Sequence, residues 1–264
     1  VIAKNLFIKP LFVQPFALIK PSLVYCVYKL SMFKNRSILT EMLDEPDIPK
    51  HLLVQNLNEL NFINTWLGGH AVTLRALKAF KLAKNQTYSI LEIGCGGGDN
   101  LLYLAKWARK NKFNVQFTGV DLKPDCIDFA KLQCKKYPEI TFICSDYKKI
   151  SNPDKPYDII FSSLFCHHFT TDELKNVIAF KTQNSKLGYF INDLHRHPFA
   201  YYSIKWLTTL FSNSPLVQND APLSVLRGFK KHDWLGLVQP KQTQIKWAWA
   251  FRWMIIYKHH DHNN

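Results

Sequence analysis

From residue 88 onward, short runs rich in β-branched and aromatic residues alternate with segments of helical period, and few folds accommodate that rhythm. YSILEIG, VQFTGVD, ITFICSD, YDIIFSSLF and GYFIND read as strands. NLLYLAKWARKN, PDCIDFAKLQCKKY and TDELKNVIAFKTQ read as helices between them. A parallel strand pair needs a crossover long enough to hold a helix, so the alternation predicts five parallel strands with helices on both faces. The stretch QTQIKWAWAFRWMIIYK (242–258) has the period-two pattern and aromatics of a closing antiparallel pair. The expected fold is therefore α/β, a doubly wound and mostly parallel seven-stranded sheet.

Helices are expected to precede the sheet. DEPDIP (44–49) leads into a segment that places Leu53, Leu57, Leu60, Asn64 and Leu67 on one face, and GG at 68–69 separates it from AVTLRALKAFKLA. Thr170 and Glu173 form a capping-box pair ahead of a later helix. Between about 194 and 228 the rhythm fails in an aromatic segment broken by Pro and Gly, too long for an ordinary connection. It reads as an inserted helical cap. The expected domain runs over 36–258, after an N-terminal extension (1–35, with Met32 just ahead of the first well-patterned segment) and before a polar tail (259–264).

The net charge of +14 invites partners such as nucleic acid or an anionic membrane. Part of it is local: six basic residues and no acid occupy the first 36 positions. That stretch is apolar and aromatic, but Lys and Pro interrupt it before it reaches the ~20 apolar residues of a membrane span. A peripheral membrane contact is the sharper reading of it, and a solvated basic surface the plainer one. The six cysteines show no C-x-x-C and fit reduced thiols in a cytoplasmic protein; no metal site is expected.

ILEIGCGGGDN (90–100) packs four glycines into positions 94–98, between a strand and a helix. Such a turn lets a ligand approach the main chain at a helix N-terminus. A dinucleotide would ask for G-x-G-x-x-G, and an acid two residues before the first glycine would repel its pyrophosphate. Glu92 instead suits a cationic group, as S-adenosylmethionine carries. Asp121 ends the second strand in GVDL, where it can accept from both ribose hydroxyls, and Asp146 in CSDY can accept from an adenine amino group with Tyr147 near the ring. Three such features at three strand ends, in the crevice where parallel α/β sheets bind ligands, outweigh any one alone.

Through LEIGCGGG, GVDL and SDY, the chain resembles class I S-adenosylmethionine-dependent methyltransferases over about 88–192. SSLFCHHF, INDLHRHPFAYY and DAPLSVLRGF resemble the branch that methylates quinones, phenolic polyketides or lipids. The resemblance implies a Rossmann-like methyltransferase fold and S-adenosylmethionine as cofactor, held by Glu92, Gly94, Cys95, Gly96, Asp121, Leu122, Asp146 and Tyr147.

A phenolic acceptor must lose a proton, with a free pKa of about 10, so a nearby imidazole helps at neutral pH. The fourth strand ends on His167 and His168, and the fifth is followed by His195 and His197. His168 and His195 are the preferred catalytic candidates; His197 precedes Pro198 and belongs to the entry turn of the cap. Asp193 either orients a histidine or starts a turn. Asp220 and Arg227 either pair across the lid or lie on the surface. The expected reaction is O-methylation of a small aromatic or lipid-tailed acceptor. C-methylation of a quinol ring, or an RNA or protein methyltransferase using the basic surface, stands as the alternative; the lack of N/D-P-P-Y/F at the fourth strand argues against base methylation. The oligomeric state is not legible.

Overall fold

The computed structural model describes residues 32–45, 47–150 and 155–259. Expectations for residues 1–31 and for 260–264 lie outside them. Two helices come first, α1 (Lys50–Trp66) and α2 (Gly69–Lys78). Gly68 sits between them at φ +74°, a left-handed turn that Gly adopts without strain. The parallel core follows: β1 (Thr87–Ile93), α3 (Asp99–Asn111), β2 (Asn114–Asp121), α4 (Pro124–Cys134), β3 (Ile140–Cys144), β4 (Tyr157–Ser163), α5 (Thr171–Gln183) and β5 (Ser185–Leu194). The capping box forms as expected: Thr170 Oγ1 accepts from Glu173 N, and Glu173 accepts from Thr170 N at 2.8 Å.

The segment read as a cap contains two helices, α6 (Pro198–Phe211) and α7 (Pro215–Arg227), each with Pro in its first turn. His197 and Ser214 are their N-caps, accepting from Phe199 N at 3.2 Å and Val217 N at 3.4 Å. A short α8 (Lys231–Leu235) leads to the hairpin β6 (Thr243–Ala248) and β7 (Arg252–Lys258).

The sheet has seven strands in the order β3-β2-β1-β4-β5-β7-β6, with β1 to β5 parallel and β7 antiparallel between β5 and β6. The order reverses between β1 and β4, so a crevice opens there beyond their carboxyl ends. Ile90, Leu91, Ile159, Ile160, Phe161, Phe190 and Ile191 are buried on both faces of the central strands, which explains why they read as continuous apolar runs. At the crevice, Asn192 at the end of β5 donates to Gly69 O at 3.0 Å and Thr73 Oγ1 at 2.9 Å, fixing α2 over the sheet. No helix among the described residues is long and apolar enough to cross a membrane.

Candidate active site

A cavity of about 490 Å³ occupies the crevice and is lined by all eight residues expected at the cofactor: Glu92, Gly94, Cys95, Gly96, Asp121, Leu122, Asp146 and Tyr147. The glycines serve two different purposes. Gly94 stands at φ +69°, and a Cβ there would fall 2.1 Å from the Phe165 ring, so its bareness admits a side chain of the protein. Phe129 and Phe142 likewise fill the space before Gly97 and Gly98. Only Gly96, at φ +49°, has open space ahead of its Cα, with Leu57 at 3.8 Å the nearest atom to a Cβ. The ligand-facing part of the loop is narrower than its composition suggests.

Glu92 is fully buried, and neither carboxylate oxygen has a hydrogen-bond partner. Burial first, then the charges of Asp99 and Asp121, hold its carboxyl well above the usual range, against the opposing influence of Asn100. A buried acid with Asn100 as its nearby donor and no partner within hydrogen-bond distance fits a ligand that brings a cation. Asp121 Oδ2 accepts from Gly96 N at 2.9 Å and its Oδ1 from Lys123 N at 3.0 Å. It thus clamps the glycine loop to β2 while each oxygen keeps a lone pair for a hydroxyl. Asp146 closes a turn by accepting from Lys148 N at 3.0 Å. Tyr147 packs edge-on against Phe180 with ring centroids 5.0 Å apart, and burial pushes its phenol up to about 12. It is a wall of the cavity as much as a free ring. Cys95 offers its backbone, since its thiol packs into the room left by Gly119, and burial pushes that thiol up.

A second cavity of about 340 Å³, mostly apolar, lies beside the first under α1, α6, α7 and the β6–β7 hairpin. Leu43, Leu60, Asn64, Leu164 and His168 line both. His168 Nδ1 lies 3.0 Å from Asp44 Oδ1, and its Nε2 lies 3.9 Å from Glu41 Oε2. Burial alone would lower its pKa; the Asp44 hydrogen bond and the charges of Glu41 and Asp44 outweigh burial and the opposing Arg227, and raise it. Its neighbour His167 is buried, with Nδ1 2.7 Å from Asp193 Oδ1 and Nε2 3.6 Å from Glu41 Oε1. Asp193 therefore orients a histidine, and it also accepts from Cys166 N at 2.7 Å.

His195 does not join this group. It lines neither cavity, and its Nδ1 accepts from Trp247 Nε1 at 3.2 Å in a cluster with Phe251 and Trp253. Burial, with His197, Arg196 and Lys230 nearby, lowers its pKa to about 4. The chain runs from β5 into α6 through a backbone bond from His195 N to Phe251 O, which turns this ring toward the hairpin. Asp220 and Arg227 are neither a pair nor surface charges. Asp220 accepts from Met42 N and Leu43 N, both at 2.8 Å, and Arg227 donates to the carbonyls of His167, His168 and Leu39. Together they anchor the segment bearing Glu41 and Asp44. Neither acid was among the expected site residues, because only packing brings them beside His168, more than 120 positions away.

Residues 90–186 match the family model described as a methyltransferase domain. This segment is thus similar to methyltransferase domains, and the sheet order is that of the Rossmann-like methyltransferase fold. The chain is similar to malonyl-[acyl-carrier protein] O-methyltransferase 1 of Ilyobacter polytropus, 30% identical over 42% of this chain and 43% of that protein. It is also similar to the mitochondrial ubiquinone biosynthesis O-methyltransferase of Saccharomyces cerevisiae, 31% identical over 49% of this chain and 39% of that one. The fatty-acid O-methyltransferase of Mycolicibacterium smegmatis is 26% identical over 54% of this chain and 50% of its own length. These matches span half or less of each curated relative. Among solved structures, the plantazolicin methyltransferase BpumL, crystallised with SAH and a monoazolic desmethylPZN analogue, superposes with a TM-score of 0.59 at 19% identity, over 89% of this chain and 100% of that one.

Proposed function

We propose that the protein transfers a methyl group from S-adenosylmethionine to an oxygen of a small aromatic acceptor: a phenol, a quinol or a phenolic lipid. The observation that carries this reading is the wall common to the two cavities, which puts His168 and Leu164 between a cofactor site and an apolar chamber. The relatives named as O-methyltransferases support methylation at oxygen.

The bound cofactor supplies an electrophilic methyl on a sulfonium. In this reading Glu92 receives the cationic end, Gly96 gives it room, Asp121 takes the ribose hydroxyls, and Asp146 with Tyr147 and Leu122 borders the adenine. Leu60, Ile63, Leu67, Ile204, Leu207 and Val217 line the second cavity and exclude water from the acceptor. Holding the acceptor close to the reacting carbon supplies much of the acceleration. His168, in its neutral form, accepts the phenolic proton at one ring nitrogen, and Asp44 stabilises the resulting imidazolium.

The test is mass spectrometry of the protein with isotope-labelled cofactor against a panel of phenols, quinols and resorcinols. The reading expects a single labelled methyl ether on at least one ring-bearing acceptor. Label found only in RNA or protein, with the panel untouched, would overturn it.

A further inference from the structure

The mouth of the second cavity is rimmed by aromatic side chains that face outward. On α6, Phe199, Tyr202, Trp206 and Leu210 recur at steps of three and four, and Trp206 is 63% exposed. The adjoining face of the same helix, with Ala200, Ser203, Ile204 and Leu207, lines the cavity. The stripe therefore flanks the chamber directly. Phe199 meets Phe251 at 5.7 Å between ring centroids, and Phe251 meets Trp247 at 5.9 Å and Trp249 at 5.8 Å. This carries the apolar surface from α6 onto the β6–β7 hairpin. On the other side, Ser212 Oγ after α6 donates to Glu59 of α1. There Phe62 and Trp66 pack at 5.8 Å and both stay exposed, Trp66 at 74%, while Leu60, Ile63 and Leu67 turn into the cavity.

Three separate elements thus contribute to one exposed apolar rim. Core packing does not account for it, because these rings are the exposed ones. Its charge is one-sided. Residues 60–67, α6 and 243–252 contain no acid and Glu59, at the edge, is half-buried and engaged by Gln55 and Ser212, whereas Lys205 and Lys246 are exposed among the rings. Trp and Tyr beside Lys, without acids, is the composition that settles at a bilayer's headgroup level and favours anionic lipid. Trp and Tyr also serve protein interfaces, and a rim-dependent dimer is an overturning outcome of the test.

We propose that this rim docks on an anionic lipid surface, so that the second cavity opens toward the bilayer and takes a lipid-tailed acceptor from it. The acceptor clause rests on the function proposed above; the docking clause does not.

The test is co-sedimentation of the full chain with vesicles of phosphatidylcholine alone, or of phosphatidylcholine and phosphatidylglycerol in equal parts. Binding to the anionic vesicles is expected to exceed binding to the neutral ones by about tenfold. Trp66→Ser/Trp206→Ser/Leu210→Ser, which alters none of the cavity lining, should lower it by about tenfold or more. Lys205→Glu/Lys246→Glu should abolish the preference for anionic lipid. Calorimetric binding of S-adenosylmethionine, unchanged in both variants, confirms that they are folded. Vesicle binding equally strong in the aromatic variant would overturn the proposal by placing the contact elsewhere. So would no sedimentation of the parent chain, or a rim-dependent dimer in ultracentrifugation without vesicle binding. Failure to bind S-adenosylmethionine would instead sink the function proposed above and leave the docking result standing.

Discussion

The two cavities lie side by side yet are built in opposite ways. The first takes the residues expected at the cofactor from strand ends and the turns that follow them, each a short continuous stretch: 92–96 at the end of β1, 121–123 at the end of β2 and 145–148 after β3, with residues 43–44 and α1 closing it over. The second draws on residues from 41 to 252, and the polar groups that line it come from separate segments: Glu41, Asn56 and Asn64, His167 and His168, Asp220, and Arg252. A site whose parts are local can be read from a sequence motif. A site whose parts meet only after the chain has packed cannot.

The sharpest way to break this contrast is to disturb the assembled side alone. Arg227 neutralises Glu41 at 3.7 Å and holds three carbonyls. Arg227→Ala leaves a buried carboxylate without its cation and should cost about 3–5 kcal/mol of stability in a denaturant titration. An unchanged midpoint would show that the anchor contributes nothing. His168→Ala should lower the rate with the best acceptor by about a hundredfold, with cofactor affinity unaffected. Equal turnover would remove the proton acceptor and leave positioning as the source of catalysis.

On the local side, Glu92→Gln should weaken S-adenosylmethionine binding by about ten- to a hundredfold, as befits a charged hydrogen bond of roughly 1.5–3 kcal/mol. The same change should make the ligand-free protein more stable at neutral pH. The folded carboxyl is held above its ordinary value, so protonation favours the folded state. Stability due to this group is present at low pH and lost as pH rises from the unfolded value toward the folded one. Thermal melts at several pH values should show that slope in the parent and not in the variant.

A smaller effect sharpens the role of Asp44. If neutral His168 accepts the proton, activity rises with pH through a limb above the ordinary histidine value, because Asp44 and Glu41 outweigh burial. Asp44→Asn should shift that limb to lower pH. A limb that stays in place would assign it to another group. The smallest effect belongs to His195→Ala, whose ring faces the Trp247–Phe251 cluster; turnover with a water-soluble acceptor should change by no more than about twofold.

The alternation of β1 to β5 with their helices was readable because each strand is buried on both faces and each helix shows its own period. Glu92, Asp121 and Asp146 were readable for the related reason that a parallel sheet delivers strand ends to one crevice. The glycine run was readable as a turn that lets a ligand approach the main chain, but not how the space is shared: Phe165, Phe129 and Phe142 fill it before Gly94, Gly97 and Gly98. Chain position misled at the histidines, since His167 and His168 share one short turn while His195 is carried to the hairpin by its bond to Phe251. Nothing near His168 in sequence announces Asp44. That contact depends on Asp220 and Arg227 tying residues 39–43 to α7, a long-range arrangement with no local signature.

The most direct measurement is a calorimetric titration of S-adenosylmethionine into the full chain, its Glu92→Gln variant and a Gly96→Val variant. The account expects a single site in the parent, weaker binding with glutamine, and none with a branched side chain filling the open space before residue 96. No heat from the parent, or equal affinity in all three, would contradict it.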